Sequence, residues 1–312
     1  MSGRTGYEAR GIDRAYWLGC AVLVLCTLCW AGSSIVGRAA AGNVPPLTLS
    51  FWRWTGAAVI LLPFALAPLR RDWRIVAAHW PMMALFALVG IVVFTVPYYI
   101  GLQFTTAINA TLMNAAGPAL VLLFSLALVG TRIGLGQLGG IALVAAGLAV
   151  IVSRGSFAAL LGLQLNAGDG LVLVSHLAWS LYTVLLRWAP KGLDPMAFLL
   201  AIVGIGTAML LPLYAWEAVT GGGFAPTAGN LGLIAYAAVF PSALAYVLWS
   251  RGVAAVGANT AGAIKGLNPL FGTAGAILLL GETPHLFHLA GFALILGGAY
   301  LVGAKRRQTA AA

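Results

Sequence analysis

Lys265 stands inside a long apolar stretch, where a charged side chain is costly and usually functional. At about 1.5 Å of rise per residue, it lies some 10–12 Å into a helix that begins near residue 258, within a hydrocarbon core about 30 Å thick. Charges at such depth commonly face a cavity, so we expect Lys265 to bind an anionic group. The alternative is a lysine that snorkels back to the membrane interface.

Asn114 precedes Lys265 by 151 residues, a spacing that other residue pairs share. Two polar side chains at equivalent places on related helices would approach the membrane midplane from opposite sides, so we expect both to line one cavity. Trp30 and Trp179 also recur at equivalent depth. They are candidates to stack on an aromatic ligand, with simple helix packing as the alternative.

The other candidate binding residues have equally ordinary alternatives. Arg53, in the run FWRW, is either a ligand for an anion or a snorkelling side chain. His176 is either a proton relay or a neutral histidine bonded to a neighbouring helix. Tyr98, Tyr99 and Trp249 lie toward the ends of apolar stretches, where aromatic residues usually form a belt at the membrane interface. The alternative for these three residues is a functional one, in which they make gate-like contacts.

Enzymatic chemistry is not expected. The seven acidic residues all map to tails, loops or ends of apolar stretches: Glu8, Asp13, Asp72, Asp169, Asp194, Glu217 and Glu282. This distribution argues against a paired-carboxylate, two-metal or Asp-based sodium site. Cys26 and Cys29 lack the second ligand pair of a zinc site, so together with Cys20 they are read as buried thiols. Without a P-loop sequence, ATP hydrolysis is excluded, and we predict no metal and no cofactor.

The elements that position these residues are membrane helices. Of 312 residues, 61% are hydrophobic and 8% charged, against roughly 25% charged in soluble domains. The sequence predicts an all-α polytopic protein with ten spans of about 20 residues. They lie near 17–37, 47–68, 80–101, 107–129, 136–153, 169–188, 195–216, 231–252, 258–280 and 286–303.

The net charge of +10 is distributed unevenly about these spans. Thirteen of the 17 basic residues fall on one side: Arg4, Arg10, Arg14, Arg70, Arg71, Arg74, Arg132, Arg187, Lys191, Arg251, Lys305, Arg306 and Arg307. Basic residues in short loops stay cytoplasmic, so both termini are predicted inside, in a bacterial inner membrane. Nucleic-acid binding is not expected.

An internal repeat organises the chain. Trp30, Arg38 and Pro46 pair with Trp179, Arg187 and Pro195 at a shift of 149 residues. At a shift of 151, Gly101, Pro118, Gly130, Gly140 and Gly147 pair with Gly252, Pro269, Gly281, Gly291 and Gly298. Each copy holds five spans, an odd number, so the second copy must be inverted relative to the first.

The predicted segments follow from this repeat. A cytoplasmic tail, 1–14, precedes repeat one at 15–154, and an external connecting loop, 155–167, leads to repeat two at 168–304. Residues 305–312 form a cytoplasmic tail. Inverted repeats are common in secondary transporters, whose binding sites lie at the repeat interface.

Three stretches carry a resemblance to a known group: CWAGSSIVGR in span one, AWSLYTVLLR in span six and NPLFGTAGAILLLGE in span nine. They resemble the EamA-type transporters of the drug/metabolite transporter superfamily, and within it the YddG-type bacterial amino-acid exporters. The resemblance implies a central cavity formed by spans one to four and six to nine, with spans five and ten peripheral, and alternating access.

The predicted function is therefore export of small metabolites, most of all aromatic or other apolar amino acids, by a secondary transporter. The substrate should be zwitterionic or anionic. Export of other organic solutes or drugs, and an intramembrane enzyme acting on lipid, remain alternatives. Pro97, Pro118, Pro241 and Pro269 are candidate hinges. The protein is a monomer or a homodimer, since the glycine faces of spans five and ten could pack within or between chains.

Overall fold

The computed structural model describes residues 4–161, 166–221 and 223–304, and among these it contains helices and no strand. Within these ranges, nine helices are long and apolar enough to cross a membrane, and a bent pair supplies a tenth span. In chain order, TM1 to TM10 are Arg14–Ala39, Pro46–Ala78, Trp80–Phe104, Ala107–Asn114 with Gly117–Val129, Leu135–Val152, Ala167–Trp188, Pro195–Thr220, Ala228–Gly257, Thr260–Leu280 and Leu286–Gly303. The predicted fold class is confirmed. Residues 1–3 and 305–312 of the predicted tails, and 162–165 of the predicted connecting loop, lie outside the described residues.

TM2 continues ten residues beyond its predicted end at residue 68. Its helix carries Arg70, Arg71 and Arg74 on its last turns and ends at Ala78. The helix persists because Asp72 accepts hydrogen bonds from Arg71 and from the backbone N–H of Asp194, tying this end to TM7. The apolar stretch of the sequence therefore predicts where TM2 leaves the hydrocarbon core, but tertiary hydrogen bonds determine where its helix ends.

Irregularities recur at equivalent places in the two repeats. TM4 is bent by 49° between Asn114 and Gly117, and TM9 breaks between Lys265 and Asn268, 151 residues later. TM3 and TM8 each contain a π-helical turn, Leu88–Val92 and Val239–Leu244, again 151 residues apart. The recurrence of breaks and π turns shows that the repeat extends to backbone geometry.

Helices of one repeat pack mainly on helices of the other. TM5 packs on TM10, TM2 on TM7, TM1 on TM8, TM3 on TM6 and TM4 on TM9. The TM5–TM10 contact depends on glycine, because a Cβ atom on Gly147 would lie 2.6 Å from the carbonyl oxygen of Gly291. Gly140 and Gly298 meet in the same way. These glycine faces therefore pack within one chain.

Three of the acidic side chains stabilise helix N-termini across the repeat interface. Glu217, at the end of TM7, accepts from the backbone N–H groups of Leu47 and Thr48 on TM2. Glu282 accepts from Ala107 and Ile108 on TM4, and Asp72 bonds next to TM7. Such carboxylates satisfy backbone donors that a helix start leaves unpaired and interact favourably with its dipole.

The four predicted hinge prolines lie at or near these irregularities. Pro118 and Pro269 stand in the first turn of the second half-helices of TM4 and TM9. Pro241 lies within the π turn of TM8, and Pro97 lies inside a helix of TM3. Their placement fits a hinge role, which stays a prediction.

Candidate functional site

A central cavity of about 60 Å³ lies between TM1, TM2, TM3 and TM4 of the first repeat and TM6, TM8 and TM9 of the second. Seven of the nine predicted binding residues line it: Trp30, Arg53, Tyr98, Asn114, His176, Trp179 and Lys265. The hinge candidate Pro241 is also part of its wall. The structure thus brings together residues that are up to 235 positions apart in the sequence.

Lys265 reaches the cavity from the end of the first half-helix of TM9, and its ammonium lies among three tryptophan rings. The distances from Nζ to the ring centroids are 5.3 Å for Trp30, 5.5 Å for Trp179 and 5.9 Å for Trp249. Each contact is within the range of cation–π attraction. Among the described residues, no carboxylate pairs with this ammonium. Its N–H donors therefore remain available to a ligand.

Arg53 forms a second cationic centre in the wall. Its Nε donates to Ser242 Oγ at 2.5 Å, and its Nη1 donates to Tyr99 Oη at 2.8 Å and to Ser33 Oγ at 3.3 Å. The side chain is buried, so it does not snorkel to the surface. Tyr99 does not line the cavity but holds the guanidinium that does.

Polar groups on the broken helices face each other across the cavity. Asn114, at the end of the first half of TM4, donates from Nδ2 to Asn268 Oδ1 at 3.5 Å. Asn268 begins the second half-helix of TM9. His176 lies nearby, and its Nε2 contacts the carbonyl oxygen of Ala110 at 3.1 Å. A neutral imidazole bonded to a neighbouring helix fits this contact, and the relay role of His176 stays untested.

The remaining aromatic candidates do not form a membrane belt. Tyr98 is buried and bonds Ser34 through its hydroxyl at 2.6 Å. Trp249 lies behind the cavity, with its ring 5.3 Å from that of Trp30 and close to Lys265. Both side chains therefore support the cavity wall between helices.

The cavity is positively charged and small. None of the described residues that line it is acidic, while Lys265 and Arg53 are basic. In surroundings of low dielectric constant, two such charges produce a strong positive potential. Ligand pockets usually have roughly 300–1,000 Å³, so the cavity must widen to admit a metabolite.

A larger groove of about 810 Å³ opens at the end of the bundle where TM1 and TM3 finish. Arg38 lines it and donates to the carbonyl oxygens of Leu102 and Gln103 at 3.0 and 3.2 Å. Glu282 lies opposite, 4.0 Å from Arg38. The distribution of basic residues predicts that this end faces the outside of the cell, and under that prediction the groove is a candidate outer vestibule.

Four lining residues were absent from the predicted set: Ser33, Phe94, Tyr246 and Asn268. Helical spacing contains a signal for two of them. Ser33 lies three residues after Trp30 on TM1, and Asn268 lies three residues after Lys265, so the spacing of a continuous helix would place each beside a predicted residue, although TM9 in fact breaks between Lys265 and Asn268. Phe94 and Tyr246 have no such signal in an apolar sequence rich in aromatic residues.

Comparison with known proteins agrees with this architecture. A family model described as the EamA-like transporter family matches residues 17–153 and 166–304, so each match covers five spans. A solved crystal structure superposes with a TM-score of 0.59 at 20% sequence identity, covering 93% of this chain and 98% of that chain. The chain therefore shares that protein's fold.

Two curated relatives extend over nearly the full length. An uncharacterized transporter of Archaeoglobus fulgidus is 28% identical over 295 residues, which are 92% of this chain and 98% of the relative. A protein of Streptantibioticus cattleyicolor named probable terminal-alkyne amino-acid exporter is 28% identical over 301 residues, 94% of this chain and 95% of the relative.

Proposed function

We propose that this chain, which belongs to the EamA-like transporter family, is a secondary transporter that exports small carboxylate-bearing metabolites across the bacterial inner membrane. Amino acids with aromatic or other apolar side chains are the proposed substrates. The observation that carries this choice is the Lys265 ammonium, held among three tryptophan rings in a cavity wall without an acidic residue.

A carboxylate is the group that best complements this site. The rings of Trp30, Trp179 and Trp249 stabilise the lysine charge but accept none of its strong hydrogen bonds. A carboxylate would add charge-assisted hydrogen bonds, which are about twice as strong as neutral ones. A permanent cation would instead meet like charges at Lys265 and Arg53. The cavity thus favours anions and zwitterions.

The other groups of an amino acid also find partners of suitable chemistry. Asn114 donates from its amide nitrogen to Asn268 and so offers its amide oxygen for an ammonium group, beside helix ends whose carbonyl groups are freed at the breaks of TM4 and TM9. The faces of Trp30 and Trp179 offer apolar area for a side chain. The relative in Streptantibioticus cattleyicolor, named as an amino-acid exporter, supports the same class.

The positions of the helix breaks in TM4 and TM9 fit a mechanism of alternating access. The cavity of about 60 Å³ is closed to a metabolite, and the breaks in TM4 and TM9 lie beside it, in equivalent places of the two repeats. Bending at one break would open one end of the cavity, and bending at its counterpart would open the other. Rocking about a fixed midplane site is the usual behaviour of inverted-repeat transporters.

The proposal is tested with purified protein in liposomes, preloaded with one candidate and assayed for exchange against the labelled form. The panel contains apolar amino acids, a dicarboxylate and a quaternary ammonium ion, each with and without a pH gradient. We expect exchange of apolar amino acids and none of the quaternary ammonium ion. Exchange of the cation without that of any carboxylate would refute the proposed substrate class. Chemical turnover of lipid in the same liposomes would instead indicate the enzyme alternative.

A further inference from the structure

A buried polar cluster joins the vestibule ends of TM4, TM6 and TM10, away from the central cavity. Asp169 on TM6 accepts at Oδ1 from Thr105 Oγ1 and, at 3.1 Å, from Asn109 Nδ2 on TM4. Asn109 Oδ1 in turn accepts from His288 Nε2 on TM10 at 3.0 Å. The cluster thus links a carboxyl group to an imidazole through one amide.

Only one of the two carboxyl oxygens of Asp169 accepts hydrogen bonds. Its side chain is fully buried, at 0% exposure, and Oδ2 has no hydrogen-bond partner among the described residues. Unlike Glu217, Glu282 and Asp72, it does not cap a helix of the other repeat, and the start of its own helix is capped by Asn166. A buried charge with an unpaired oxygen is costly.

The repeat shows that packing alone does not require this cluster. The positions equivalent to Asp169, Thr105, Asn109 and His288 are Cys20, Val256, Thr260 and Gln137. They lie on the equivalent helices at the opposite end of the bundle, where TM1 packs on TM8, and none of the four carries a carboxylate or an imidazole. The helices therefore pack without a carboxyl–imidazole cluster at one end and with it at the other.

We propose that Asp169 is a proton-binding site that latches the outer end of TM4 to TM6. Binding one proton at Oδ2 replaces the buried charge with a neutral hydroxyl group, which is far less costly to bury. A metal ion would need several oxygen ligands, and Asn109 Oδ1 is already occupied by His288. A proton is therefore the ligand that this single free oxygen fits.

Among the residues that the structure describes, few other charged groups face the cluster. Arg154, after TM5, attracts the carboxylate but is itself exposed to solvent. His288 accepts at Nδ1 from the backbone N–H of His285, so its Nε2 carries the proton donated to Asn109. Glu282 is engaged by Ala107 and Ile108. Asp169 is thus the group whose charge is least compensated.

The latch lies where it can control access to the central cavity. The first half of TM4 carries Asn109 in the cluster and Asn114 in the cavity wall, and it ends at the 49° bend. TM6 carries both Asp169 and the cavity residue His176. Separation of these helices at the outer end would hydrate Asp169 and favour its charged form. Proton binding therefore stabilises the closed end, and a low external pH holds it shut.

Cysteine labelling tests the latch without any substrate, so its failure and that of the proposed substrate class are distinguishable. Cys20, Cys26 and Cys29 are first replaced by alanine. Ala107→Cys then reports opening, because Ala107 is fully buried beside the cluster. Gly170→Cys is the reference, because it is exposed and has space around it. The rate ratio of the two sites toward an impermeant maleimide in intact cells cancels the pH dependence of thiol reactivity.

We expect this ratio to rise with external pH above the ordinary pKa of an aspartate side chain, about 4, by at most about tenfold per unit, as for one linked proton. Asp169→Asn should make it low and independent of pH, whereas Glu217→Gln and His288→Gln should retain the dependence. Thr105→Val removes a donor to the charged form and should move the midpoint to higher pH. The proposal would be overturned by a labelling ratio that does not change with pH in the parent protein. It would also be overturned if the pH dependence persisted in Asp169→Asn, or if His288→Gln alone abolished it.

Discussion

Replacing Lys265 with methionine tests the chemistry of the cavity most sharply. Methionine keeps most of the side-chain volume among the rings of Trp30, Trp179 and Trp249 and removes the charge. The protein should still fold, because no carboxylate among the described residues loses a partner. What is lost is the binding partner of the substrate carboxylate.

The expected loss follows from the burial of the pair. Removing one partner of a buried, hydrogen-bonded charge pair costs about 3–5 kcal/mol, and each 1.4 kcal/mol corresponds to about tenfold. Lys265→Met should therefore lower kcat/KM for amino-acid transport by roughly 10²- to 4 × 10³-fold. Lys265→Arg should retain part of the activity because it preserves the charge.

The assay is initial-rate transport in liposomes, with thermal unfolding in detergent measured on the same preparations. Lys191→Met is the matched control, since Lys191 is exposed in the loop before TM7, and it should transport like the parent. If Lys265→Met unfolds at the parent temperature and transports amino acids at the parent kcat/KM, the assignment of Lys265 is refuted. A lysine that merely snorkels would give that result.

Three further predictions concern other parts of the molecule. Arg53→Gln should weaken substrate binding by about ten- to a hundredfold, the effect of one or two charged hydrogen bonds, while the exposed control Arg187→Gln changes nothing; equal affinities would remove Arg53 from the site. Gly147→Ala should lower the free energy of unfolding by about 1–3 kcal/mol through overpacking against Gly291, whereas Gly139→Ala, with open space around it, should not. Thermal unfolding measures the difference, and equal stability of the two variants would contradict the TM5–TM10 contact. Cysteines at the exposed positions Asn43 and His79 should be labelled from outside and inside the cell, respectively, and the reverse pattern would overturn the predicted orientation.

The sequence predicted those features of the fold and the site that depend on a single property of the residues. Apolarity located ten spans, because an exposed backbone polar group cannot be accommodated in hydrocarbon. A constant shift between related residues paired Asn114 with Lys265, and both line the cavity. A single charge in an apolar helix identified Lys265 itself, since few arrangements stabilise it there.

Features that depend on tertiary contacts were not predictable in this way. Asp169 and Glu217 were assigned to the ends of spans, and that position does not reveal that both side chains are buried. Glu217 turns inward to the start of TM2, and Asp169 turns toward TM4. The π turns of TM3 and TM8 likewise have no local signature. These outcomes depend on which helix lies opposite, which local sequence does not encode.

The central claim, that the cavity recognises a carboxylate, is tested most directly by comparing the binding of phenylalanine and its methyl ester to the purified protein by calorimetry. The two ligands share the ammonium group and the aromatic side chain and differ in the carboxylate. The positively charged wall at Lys265 and Arg53 predicts that the ester binds at least about a hundredfold more weakly, equivalent to roughly 3 kcal/mol for the lost charge pair. An ester that binds as tightly as the amino acid, or more tightly, would contradict it.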